Sequence, residues 1–146
     1  MNCPTKVHAE KLLTTEFEHR FGKINVLINN ASKQKMCQDF VAINLDDVES
    51  VFRSNILQMF AITKYALPHM TKGDSYVNLS PLPPKSHAIK LIITHDSRVI
   101  NTSSVTTFRG SGTMIDYAST KGAIVGFTRS LAQNLISKGI RVNAVA

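Results

Sequence analysis

Apolar positions fall into blocks along the chain, and their spacing changes from block to block. In residues 4–21, PTKVHAEKLLTTEFEHRF, the side chains Val7, Leu12, Leu13, Phe17 and Phe21 form one helical stripe with charges opposite. Pro4 suits a first turn and Gly22 a stop. Residues 24–28 are a compact apolar run ending in Asn29 and Asn30, which reads as a strand. Such a run directly after a helix suits a parallel sheet covered on both faces. Residues 44–70 read as a long helix. Asn44 is placed to cap it, and Asp46, Asp47 and Glu49 favour its positive end. Its expected inner stripe is Val48, Val51, Phe52, Ile56, Phe60, Thr63 and Leu67, and Pro68 should loosen its last turn.

The second half repeats the alternation. Val99 and Ile100 climb to a cluster of hydroxyls, Thr102, Ser103 and Ser104, and a loop bearing Gly110 and Gly112 follows. Residues 117–137 then form a helix with Ala123, Ile124, Phe127, Leu131 and Leu135 on its expected buried side. Gly139 stops it, and residues 140–146 open another apolar strand. Residues 76–97 break this order: they hold three of the five prolines and show no clear period. Skipping them joins Gly73-Asp74-Ser75 to Arg98-Val99-Ile100, a natural turn into a strand. The stretch therefore reads as an insertion, and long unstructured loops inside compact domains are uncommon. Its boundary codons can be written with intron-like ends, so a retained intron is the preferred origin.

At 146 residues, with a hydrophobic fraction of 43%, the chain is one domain or part of one. The net charge of +7 raises nucleic acid as a partner. From Arg98 onward, however, the six basic residues are scattered, with no aromatic platform among them. No nucleic-acid-binding pattern appears. No run approaches the ~18 apolar residues of a membrane span, and no signal-peptide centre occurs near the N-terminus. Cys3 and Cys37 suit a reducing compartment and give no metal-ligand spacing, so a cytoplasmic protein without a metal site or membrane partner is expected.

The candidate chemistry lies in residues 98–121, RVINTSSVTTFRGSGTMIDYASTK. Tyr117 and Lys121 are four apart, so on a helix both leave the same face. An ammonium held beside a phenol stabilises the phenolate and suits the tyrosine to general acid/base work. Ser104, at the end of the preceding strand, can bond the oxygen that exchanges the proton. Taken alone, the Tyr-x-x-x-Lys pair reads equally as a packed ring with a solvated amine. Asn55, mid-helix, reads as an exposed polar residue or one bonded to its own backbone. The Asn29-Asn30 pair reads as a polar turn.

Ser104, thirteen residues before Tyr117, and the run Tyr117-Ala118-Ser119-Thr120-Lys121-Gly122-Ala123 resemble the active-site segment of the short-chain dehydrogenase/reductase family. Within it, the run from Ile100 to Ala146 resembles the glucose and ribitol dehydrogenase-like branch. The resemblance implies the central part of an α/β, doubly wound parallel sheet of Rossmann type, with three parallel strands and three helices. The first strands and C-terminal segment of that fold are not matched, and strand 24–28 becomes a bare apolar edge. It implies a partial NAD(P)-binding domain over residues 1–146, interrupted at 76–97.

The implied activity is an NAD(P)-dependent oxidoreductase interconverting a small-molecule alcohol and a carbonyl. In the implied site, Tyr117 is the general acid/base and Ser104 orients the substrate oxygen. Lys121 holds the nicotinamide ribose, and Asn55 completes a proton relay. Asn29 and Ala31, in the turn after strand 24–28, join Tyr117 and Lys121 as cofactor-binding residues. Ser32 stands where the family's turn has a glycine, which makes close backbone approach less free. Ser103, the neighbouring candidate for the serine role, is rejected on spacing. No G-x-x-x-G-x-G or G-x-G-x-x-G occurs to receive a pyrophosphate, and NAD is not distinguished from NADP. Helices 44–70 and 117–137 correspond to the family's usual subunit interface, so the full-length family member is expected to be a homo-oligomer. The alternative is an inactive truncated fragment that at most pairs with full-length relatives through those helices.

Overall fold

A computed structural model describes residues 22–71 and 97–146, together with Lys11, Leu13 and Arg20. The expected helix 4–21 lies outside the described residues except for those three, as does all of the segment 76–97 except Ser97. Three strands, β1 (Val26–Asn29), β2 (Arg98–Thr102) and β3 (Arg141–Val145), form one parallel sheet in the order β1-β2-β3. Leu27 pairs with Val99 and Val99 with Val142, which aligns the apolar centres of all three strands. Around them, Leu13, Ile24, Ala66, Met70, Leu135 and Ile140 close the core.

Strand β1 begins two residues later than the apolar run. Ile24 is buried, but its N–H donates to the carbonyl of His69, which ties it to the end of a helix rather than to β2. Val26 is 46% exposed and Ile28 61%, so among the described residues β1 is an apolar edge of the sheet.

The long helix is one helical run built in pieces. Asn44 caps α1 (Leu45–Phe52), its side chain accepting from Asp46 N, with Asp46 and Asp47 in the first turn. A π-helical turn, Arg53–Leu57, joins α1 to α2 (Gln58–Ala66), and a 3-10 turn carrying Pro68 ends the run at His69. The buried stripe is Val51, Asn55, Met59, Thr63 and Ala66. Of the expected stripe, Val51 and Thr63 keep their place, whereas Phe52 and Phe60 lie on the outer side. Four-residue steps drift by about 40° each on a regular α-helix. The wider π turn takes up that drift and holds the 51-55-59-63 row on the sheet side.

A short helix α3 (Thr106–Arg109) follows β2, and then comes α4 (Ile115–Leu135). After a final 3-10 turn, Gly139 adopts φ of +65°, a conformation that costs a glycine little, and leads into β3. The buried face of α4 is mostly polar: Asp116, Thr120, Lys121 and Thr128 accompany Ile124 and Leu135. Ala123, expected to be buried, is exposed, and Phe127 and Leu131 are half-buried. The polar face buries because the sheet offers it partners. Asn29, opposite Asn101 in the register, donates to Asn101 Oδ1 at 2.9 Å and to Thr63 Oγ1 at 3.1 Å. Asn101 in turn donates to Thr128 Oγ1 at 2.9 Å, so one buried ladder ties α2, β1, β2 and α4 together.

Candidate active site

The site forms where the C-terminal ends of β1 and β2 meet the first turns of α4. This is the end of a parallel sheet at which open α/β proteins bind ligands. Tyr117 lies in the first turn of α4, and Lys121 one turn later on the same face, with its Nζ 5.4 Å from the centre of the phenol ring. Lys121 is 1% exposed and its ammonium donates to the carbonyl of Thr102 at 2.8 Å. Burial pushes its pKa below the ordinary lysine value, and the carbonyl is the partner that keeps the charged form in place.

The hydroxyl cluster divides its work. Ser103 is buried and donates to the main-chain carbonyl of Lys121 at 3.1 Å, so it faces the helix backbone. Ser104, half-buried, accepts from Thr106 N at 3.2 Å and from Thr106 Oγ1 at 3.0 Å. Among the described residues its oxygen is engaged with Thr106 rather than with Tyr117.

Asn55 is 1% exposed, neither a solvated residue nor one bonded to its own helix. Its Oδ1 accepts from Lys33 N at 2.8 Å, and its Nδ2 donates to Lys33 O at 2.9 Å and to Thr120 Oγ1 at 3.0 Å. The π turn carries this residue, and its side chain pins the loop after β1 to α4. Asn29 spends its amide on Thr63 of α2 and Asn101 of β2. Ala31 lines a small cavity of about 110 Å³ with Ile28, Asn30, Ser54 and Met59. The structure thus groups Tyr117, Lys121 and Asn55 around the start of α4, and sets Asn29 to bracing the sheet.

The match to the short-chain dehydrogenase family model covers residues 5–81 and 83–146, nearly the whole chain. The chain belongs to the short-chain dehydrogenase family. It is 40% identical over 136 residues to an NADPH-dependent aldehyde reductase, chloroplastic, of Arabidopsis thaliana, covering 93% of this chain and 39% of that protein. It is 38% identical over 136 residues to glucose and ribitol dehydrogenase of Daucus carota, with the same two coverages of 93% and 39%. A solved structure, ElxO with NADP bound, matches with a TM-score of 0.75 at 28% identity, over 97% of this chain and 48% of that one. The glucose/ribitol dehydrogenase of Brucella melitensis, at 24% identity and a TM-score of 0.73, shares the fold, over 95% of this chain and 48% of that one. The chain spans about two fifths of the length of the curated relatives it matches. Among the described residues, no helix is long and apolar enough to cross a membrane.

The spacing along the chain did not mark the groups that brace the candidate side chains. Thr120, Asn101, Thr128 and the Thr102 carbonyl hold Lys121, Tyr117 and their strand in place. One signal was available for two of them: Thr120 and Thr128 recur eight apart, on the same side of the helix as Lys121 and Ile124.

Proposed function

We propose that this chain carries the proton-handling half of an NAD(P)-dependent oxidoreductase site that interconverts an alcohol and a carbonyl in the cytoplasm. The observation that carries the reading is the Tyr117–Lys121 pair on one face of α4, its ammonium buried and anchored on Thr102 O. The donor set fits the nicotinamide-ribose end of such a cofactor. An ammonium has three N–H donors, Thr102 O takes one, and the others suit ribose hydroxyls. When bound, the nicotinamide supplies or accepts the hydride.

The remaining chemistry belongs to the protein. Tyr117 Oη gives its proton to the carbonyl oxygen in reduction and takes it back in oxidation. Ser104 suits the role of orienting that oxygen: with two donors from Thr106 on its lone pairs, its own O–H is left to donate to the substrate. Lys121 holds its ammonium over the Tyr117 ring, 5.4 Å from the ring centre. Asn55 acts through Lys33 and Thr120, keeping the loop after β1 and the start of α4 in register.

The names of the relatives point to small aldehydes and polyols as substrates, and to NADPH as the cofactor to try first. The groove of Ile56, Phe60, Ala123, Phe127 and Leu131 suits a second subunit. The test is turnover of the purified chain with NADPH and a small aldehyde beside its Tyr117→Phe variant. Turnover lost in the variant supports the reading. An inactive chain favours the alternative of a fragment that at most pairs with longer relatives.

A further inference from the structure

We propose that Thr120 is the positioning residue that sets Tyr117 against Lys121, a reading that rests on the oxidoreductase function above. Thr120 lies between the two in sequence and is fully buried. Its Oγ1 donates to the carbonyl of Tyr117 at 2.7 Å and accepts from Asn55 Nδ2 at 3.0 Å.

The first bond alone is ordinary, since helical threonines often turn back onto the carbonyl three or four residues earlier. The second changes its meaning. A hydroxyl has one proton, and an amide N–H arriving on its oxygen directs that proton to the remaining acceptor, Tyr117 O. Asn55 cannot swing away to release it, because its amide grips both the N–H and the carbonyl of Lys33. A continuous chain of hydrogen bonds therefore runs from the loop after β1, through the π turn, to the main chain of Tyr117.

From the other side, Ser103 donates to the carbonyl of Lys121, and Thr102 O receives its ammonium. The first turns of α4 are thus held at Tyr117 by Thr120 and at Lys121 by β2. The angle at which the phenol meets the ammonium depends on both grips. Loss of the Thr120 hydroxyl releases only the tyrosine.

Thr120→Val keeps the methyl group and the buried volume and removes both hydrogen bonds, whereas Thr120→Ser restores the hydroxyl. Each chain is labelled with 3-fluorotyrosine, and the Tyr117 fluorine resonance is assigned with Tyr117→Phe. The expected result is one narrow Tyr117 resonance in the parent and in Thr120→Ser, and a broadened or split one in folded Thr120→Val. Turnover of Thr120→Val with NADPH should fall by about tenfold to a hundredfold in kcat at little changed cofactor KM. It should recover in Thr120→Ser. If Thr120→Val does not fold, Thr120→Ala serves in its place. An unchanged Tyr117 resonance in the folded variant overturns the positioning role, whatever the turnover. A changed resonance with no turnover in any chain overturns the oxidoreductase reading and leaves the positioning role standing.

Discussion

Lys121 places its ammonium on the carbonyl of Thr102, 2.8 Å away, in a setting where the residue is almost wholly removed from water. Burial lowers the lysine pKa from 10.5, so the folded chain binds this proton less readily than the unfolded chain. Between the lowered value and 10.5 the unfolded state holds more protons, and the contribution of this group to stability rises with pH. Urea midpoints measured at intervals from neutral pH to pH ~10 should therefore climb in the parent relative to Lys121→Met. Parallel curves would remove the buried charge from the account. The same variant should lose at least about a hundredfold in turnover, because it keeps the stem and deletes the ammonium.

Asn101 is the middle rung of the ladder from Thr63 through Asn29 to Thr128. Replacing it by leucine of similar size leaves Asn29 and Thr128 each one hydrogen-bond partner short. The expected cost is about 1–3 kcal/mol in urea unfolding. A cost near zero would mean that the ladder is dispensable to the scaffold.

Deleting residues 76–97 should leave a chain that folds. Ser97 Oγ donates to Thr71 O at 2.7 Å and to Ile24 O at 3.2 Å, so the two ends of the connection already meet. After deletion, Ser75 takes the place of Ser97 before Arg98, and three residues, 72–74, are enough to close the turn. The expected outcome is a soluble chain with an equal or higher urea midpoint, since shorter loops close at lower entropic cost. Failure of the shortened chain to fold would show that the segment belongs to the domain.

The rings of Phe60 and Phe127 meet at 4.4 Å on the outer side of α2 and α4, beside a groove of about 540 Å³. Phe127→Asp should shift the chain toward monomer in sedimentation velocity if this face joins two copies. An unchanged sedimentation coefficient would place the contact elsewhere or nowhere.

Strand and helix order was legible because apolar spacing reports which face of each element is covered. The boundaries at Asn29, Gln58 and Leu135 depend on pairing partners that no local window contains. Asn55 illustrates the limit. Its low helix propensity made it look solvated, yet a π turn and three hydrogen bonds, to Lys33 and Thr120, bury it. Phe52 and Phe60 failed in the opposite direction, because periodicity cannot distinguish a face that packs on the sheet from one left outside. The Tyr117–Lys121 pair was readable since four-residue spacing on a helix fixes a shared face. The Thr102 carbonyl that anchors the lysine was not, because a backbone atom leaves no mark in a sequence.

The most direct test of the central claim is a fluorescence titration of the purified chain with NADPH and with NADH, set beside Lys121→Met. Saturable binding of at least one of the two by the parent chain is expected, with a clear weakening in the variant. A linear, unsaturated response with both nucleotides, the same in parent and variant, would contradict it.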